Sequence, residues 1–127
     1  MKTKLFLITL FFISMISFAQ NWNQVGNAKF TNFAKDGAMA FHPTTGNPYI
    51  IYANVLDANK PYVVKFDGTS WVTVGTGAII ANEATLINIA FNPANNEPNV
   101  AFKNETTDRI DLYKFDGTSW TAIKTSL

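Results

Sequence analysis

The chain has 127 residues, 47% of them apolar and 14% aromatic, with 11 Phe and no Cys. That composition argues against a disordered chain and excludes disulfides, thiolate nucleophiles, Cys-ligated zinc and a lipoprotein anchor. The formal charge is +1, and setting aside Lys2 and Lys4 leaves eight basic against nine acidic residues, so there is no electrostatic footprint for nucleic acid or an anionic membrane.

Residues 1–19 read as a secretory signal peptide: Lys2 and Lys4 form the positive end, Leu5 to Phe18 is an apolar run, and Ser17 and Ala19 are small residues ahead of a cut before Gln20. The run falls short of the ~20 residues that span a bilayer. The expectation is a mature domain of residues 20–127, secreted, periplasmic or at the cell surface, with no membrane span after cleavage.

The mature chain opens with Trp22-Asn23-Gln24-Val25-Gly26, which matches Trp71-Val72-Thr73-Val74-Gly75 and, more loosely, Trp120-Thr121-Ala122-Ile123-Lys124. The three Trp residues are 49 positions apart. Gly37-Ala38-Met39-Ala40-Phe41-His42-Pro43 matches Ile87-Asn88-Ile89-Ala90-Phe91-Asn92-Pro93. The nearly continuous apolar run Leu86 to Phe91 suits a strand buried on both faces. Pro43 and Pro93 end these strands, because Pro cannot donate to a ladder. Pro48 to Asn54 and Pro98 to Asn104 are second strands opened by Pro. Tyr62 to Phe66 and Asp111 to Phe115 are third strands, with Val64, Phe66, Tyr113 and Phe115 on one face and Val63 and Leu112 on the other. Lys-Phe-Asp-Gly-Thr-Ser-Trp then stands identically at 65–71 and 114–120. Asp-Gly between apolar-aromatic runs marks a hairpin, leading into the Trp strand. Each unit is thus a four-stranded antiparallel meander, and no helical period appears outside the leader.

A four-stranded unit of this length with a periodic Gly/aromatic motif is the pattern of a β-propeller blade. Residues 22–124 resemble Kelch-like propeller repeats, and more closely the repeats of secreted bacterial proteins that run Trp-x-x-Val-Gly, apolar-Phe-x-Pro, Pro-Tyr, Phe-Asp-Gly-x-x-Trp. The resemblance implies an all-β fold of two blades plus an extra edge strand, because the Trp strand occurs three times and the others twice. Propellers typically have 4–8 blades, so two form an incomplete ring. Either several copies associate, or the chain is the N-terminal part of a longer array. The surplus Trp strand favours the array.

Trp22, Trp71 and Trp120 are the candidate ligand-binding residues, by stacking on sugar rings; their repetition at one fixed position points instead to filling the space between blades. Asp67 and Asp116 are weighed as calcium ligands and read as acceptors within their own turns. His42 is the only histidine and matches Asn92, which indicates a turn role. Glu83, Glu97, Glu105 and Asp108 lie in loops without matching acids in the other unit, and nothing marks a nucleophile with a partnered base. Asn104-Glu105-Thr106 fits a glycosylation sequon, and the loops Leu56 to Lys60 and Thr106 to Asp111 differ between units, where recognition would lie. The expectation is a non-catalytic binding module for carbohydrate or protein, with no cofactor or metal. It is expected to form a homo-oligomer or to need further blades. The alternative is a structural fragment of an array with no ligand of its own.

Overall fold

A computed structural model describes residues 23–27, 29, 31 and 33–127. The expected leader and Trp22 lie outside the described residues. The described fold is all-β, with two four-stranded antiparallel sheets and one short 3-10 turn, Val55–Asp57. Sheet one runs β1 (Ala34–Phe41), β2 (Pro48–Asn54), β3 (Lys60–Phe66), β4 (Trp71–Thr73); sheet two runs β5 (Ala84–Phe91), β6 (Pro98–Asn104), β7 (Arg109–Phe115), β8 (Trp120–Lys124). In both, spatial order equals chain order, and neither sheet closes on itself.

The turns follow from the repeat. His42 N–H donates to the Asn47 carbonyl at 2.9 Å, and Asn92 N–H to the Glu97 carbonyl at 2.9 Å. His42 Nδ1 accepts from the amides of Thr44 and Thr45, each at 3.3 Å. Asn92 Oδ1 accepts from the Ala94 amide at 3.0 Å. The imidazole nitrogen thus does the work of an Asn side-chain oxygen, as its repeat counterpart implied. The second connection is also duplicated: Asn54 Oδ1 accepts from Leu56 N–H and Asn104 Oδ1 from Thr106 N–H, both at 3.1 Å.

Pro61 sits in an inner strand, where a missing donor is usually harmful. Here β4 stops at Thr73, opposite Val64, and the linker beyond it takes over. Val74 N–H donates to the Val63 carbonyl at 2.8 Å and Ile79 N–H to the Pro61 carbonyl at 2.9 Å. The lost N–H of Pro61 therefore faces the linker, and the ladder to β2 keeps its bonds.

β5 lies against β1 and β2, so the front of sheet one meets the back of sheet two. Tyr49, Ile51 and Val63 supply one wall of the core, and Ile87, Ile89, Val100 and Phe102 the other. Ala38 and Ala40 pack against this cluster; their small size lets β1 and β5 approach. Phe91 packs edge-on against Tyr49, ring centroids 5.0 Å apart, and against His42 at 5.2 Å.

Two expectations need correction. β5 is covered on one face only: Ile87 and Ile89 are buried, whereas Asn88 and Ala90 are exposed and Leu86 is 71% exposed. Sheet one covers one side of sheet two, and nothing among the described residues covers the other. The bulge that breaks the register between Thr85 and Asn88 also turns Leu86 outward, at φ 50°. The extra edge strand is absent from the described residues as well. Asn23 to Asn27 adopt no strand, because a strand is defined by a neighbour's ladder and this segment has none. The described residues therefore contain eight strands rather than nine.

Phe102 is fully buried and stacks on Tyr113, centroids 5.7 Å apart. Phe102→Ala is expected to cost about 3–5 kcal/mol, read as a lower urea midpoint with an unchanged slope. Met39→Ala, on the open back of sheet one, is expected to cost well under half of that.

Candidate functional site

The seam between the two sheets is where the repeated motifs meet. Trp120 Nε1–H donates to the Val74 carbonyl at 3.0 Å, and Trp71 Nε1–H to the Val25 carbonyl at 2.9 Å. Both bonds reach back 46 residues, from one Trp to the Val-Gly that follows the previous one. The indole lies directly over the glycine: a Cβ on Gly75 would stand 3.0 Å from Trp120 Cδ1, and one on Gly26 2.9 Å from Trp71 Cδ1. Gly75 has φ +91° and Gly26 φ +72°, so backbone and space both select glycine. Each indole is also tilted against the Phe of its own hairpin, Phe66–Trp71 at 5.7 Å and Phe115–Trp120 at 5.2 Å. Of the three candidate Trp residues, Trp71 and Trp120 are half-buried in these contacts. Trp22 lies outside the described residues.

The seam is closed at two further places. Asn59 Nδ2 donates to Glu83 Oε1 at 2.9 Å, and Ala84 N–H to the Asn59 carbonyl at 3.1 Å. Asn96 Nδ2 donates to Thr44 Oγ1 at 3.2 Å.

The turns joining each third strand to its Trp strand are alike. Asp67 Oδ1 accepts from Thr69 N–H and Ser70 N–H at 2.8 Å, and Asp116 Oδ1 from Thr118 N–H and Ser119 N–H at 2.9 Å. These amide donors hold both carboxyls below the usual Asp range, with the bond from the Ser amide the largest cause in each. Each Asp Oδ1 is thus spent on its own turn, and no cluster of three or more His, Asp or Glu among the described residues is placed to hold a metal.

The loop acids are in surface ion pairs: Lys35–Glu83 at 3.5 Å, Lys103–Glu105 at 3.1 Å, Lys103–Asp108 at 2.5 Å and Lys114–Glu97 at 4.0 Å. Such solvent-screened pairs contribute little to stability. Asn104 of the sequon is buried, its Nδ2 donating to Asp111 Oδ2 at 2.9 Å, so the amide is not available in the folded chain. Asp111, the residue that opens the expected third strand, belongs to β7, is buried, and also accepts from Ser126 N–H at 2.8 Å.

Where the Asp116 turn overhangs Val74 and Gly75, a cleft of about 400 Å³ opens between the units. Its walls include Lys65, Thr73 and Thr76 from the first unit and Phe115 and Thr118 from the second. The sequence shows no sign of this cleft, because its residues come from both units and meet only through the seam.

Gly75→Ala is expected to destabilise by about 2–3 kcal/mol, from strained backbone plus the contact with Trp120. Gly117→Ala has a similar φ of +97° and nothing within 4 Å of its Cβ, so about 1 kcal/mol is expected there. The difference in urea midpoints reads the indole contact. A second expectation concerns acid. A folded carboxyl with lowered pKa contributes stability above the unfolded value, ~3.9, and loses it as pH falls through the folded value. The urea midpoint should hold above about pH 5 and fall below pH 4, and Asp67→Asn with Asp116→Asn should flatten that fall.

No family model, no curated protein and no solved structure matches the chain.

Proposed function

We propose that the chain is an exported, non-catalytic binding module built from two propeller-type blades of the Kelch-like kind, with carbohydrate or protein as its ligand. The observation that carries this reading is the inter-unit cleft. A stiff seam holds hydroxyls, a cation and an aromatic side chain around a recess of about 400 Å³, and rigid scaffolds presenting a few convergent polar groups are the usual form of a ligand site. In this reading Trp120 serves binding by fixing the cleft, with any direct stacking on ligand by Trp71 or Trp120 confined to the parts of the rings left open.

A second reading, a stretch of a longer array without its own ligand, draws on a different observation. Met39 is 56% and Phe41 59% exposed on the back of sheet one, whereas their repeat counterparts Ile89 and Phe91 pack in the seam. Blades need neighbours to cover such faces. Those neighbours would be further copies of the chain or further blades of the same repeat.

A glycan array, together with a screen of immobilised cell-surface proteins, separates the two. For the binding module, the exported chain should bind at least one ligand saturably, and Thr76→Val with Thr118→Val should weaken it at least fivefold while leaving the urea midpoint unchanged. Failure to find any saturable ligand, with light scattering reporting self-association, would favour the array.

A further inference from the structure

Lys65 and Lys114 occupy the same position in the two copies of the heptapeptide, yet their surroundings differ. Lys114 faces Glu97 at 4.0 Å. In the first unit the counterpart of Glu97 is Asn47, and Lys65 joins no ion pair among the described residues. Its ammonium lies 5.9 Å from the centroid of the Tyr49 ring, and the residue lines the inter-unit cleft. The acid that feels this charge, Asp67, has Oδ1 bound to its own turn amides. Three hydroxyls line the same cleft, those of Thr73, Thr76 and Thr118. None of the three makes a hydrogen bond among the described residues, and Thr118 is tied down only through its backbone amide, to Asp116. Phe115 contributes aromatic surface. A cation without a direct ion pair, three uncommitted hydroxyls and one aromatic side chain thus line a single recess.

Resting on the binding-module reading, we propose that this cleft binds an acidic sugar residue, with Lys65 taking the carboxylate, the Thr hydroxyls meeting the ring hydroxyls and Phe115 lying against the C–H face of the pyranose. The volume suits it: about 400 Å³ lies at the lower end of the ~300–1,000 Å³ of small-molecule sites. The charge count suits it as well. One ammonium matches one carboxylate, whereas a phosphate group draws several donors at once. The hydroxyls distinguish a sugar from a bare carboxylate, because each can donate and accept as a sugar hydroxyl requires.

The test is calorimetric titration of the exported chain with digalacturonate, its methyl ester and acetate. Digalacturonate should bind saturably, the ester about tenfold more weakly, and acetate not at the same concentrations. Lys65→Met should cost about tenfold for the acid and leave the ester unchanged. Lys114→Met, outside the cleft, should change neither. Raising sodium chloride from low to high concentration on the unmodified chain should weaken the acid selectively, which gives the same information should Lys65→Met fail to fold. Equal affinity for acid and ester, equal affinity for acetate, or indifference to both Lys65→Met and salt would overturn the assignment. An ester that binds as well as the acid leaves the binding-module reading standing. A chain that binds none of the three probes yet holds another ligand from the array removes the acidic sugar alone.

Discussion

One contact recurs with the repeat: an indole N–H bonded to the carbonyl 46 residues upstream, with the ring lying on the glycine beyond it; the Trp120 copy ties sheet two to the end of sheet one, and the Trp71 copy ties Val25 and Gly26 to sheet one. An indole N–H drawn out of water requires an acceptor, and the acceptor found here brings the outer strand of sheet two over the end of the unit before it. This contact sets the separation of the hairpins, and hence the depth of the cleft between them. It also gives the repeat a direction. Each Trp reaches back to the preceding Val-Gly, so a unit is anchored by its predecessor. At the third copy of the motif Ile123 and Lys124 stand where Val-Gly stands twice, and Lys124 lies in β8. The glycine that admits the indole elsewhere is replaced there by lysine.

Much of this was legible in the sequence because the repeat doubles every signal. Strand ends at Pro, the equivalence of His42 and Asn92, and the turn role of Asp67 and Asp116 each rest on local chemistry. A hydrogen bond two or three residues away is encoded where it is made. The misreadings share a different cause. The run Leu86 to Phe91 is apolar enough for two covered faces, but burial depends on what lies beside it, and a bulge at Leu86 rotates that residue out. Asn23 to Gly26 carries the strand motif, yet extended pairing needs a partner edge. Its Val-Gly contact with Trp71 forms without one, so the motif encodes the lock more strongly than the strand. Exposure of the Asn104 side chain is non-local in the same way, since its Nδ2 is held by Asp111 across the sheet. The cleft was invisible because its walls belong to different units.

Function in a repeat scaffold lies in the differences between units, since whatever is shared is explained by the architecture. At the hairpin position the difference is Lys65 beside Asn47 against Lys114 beside Glu97. On the sheet fronts it is larger. Sheet one presents Ala38, Tyr49 and Ile51 to the seam, while the same positions of sheet two are Asn88, Asn99 and Ala101, lining a shallow open groove. The first set builds a core. The second has lost its aromatic and its branched aliphatic, and Asn99 Oδ1 is buried without a hydrogen-bond partner among the described residues.

These two open faces are therefore unlike, and the mismatch bears on what covers them. Inside the chain Phe91 meets Tyr49 edge-on at 5.0 Å. Were a second copy to repeat that docking, Phe41 would meet Asn99 instead, which offers no ring for the edge-on pair. The incoming unit would also bring Ile123 and Lys124 to Trp71, where Val25 and Gly26 of the same chain already sit. Plain head-to-tail stacking of copies thus loses the aromatic pair and competes with an existing lock. A cover that suits the back of sheet one must bring apolar surface to Met39 and Phe41 while leaving Val25 and Gly26 in place. A cover over the front of sheet two would meet Asn88, Asn99 and Ala101 instead. The two faces therefore differ in the chemistry they present.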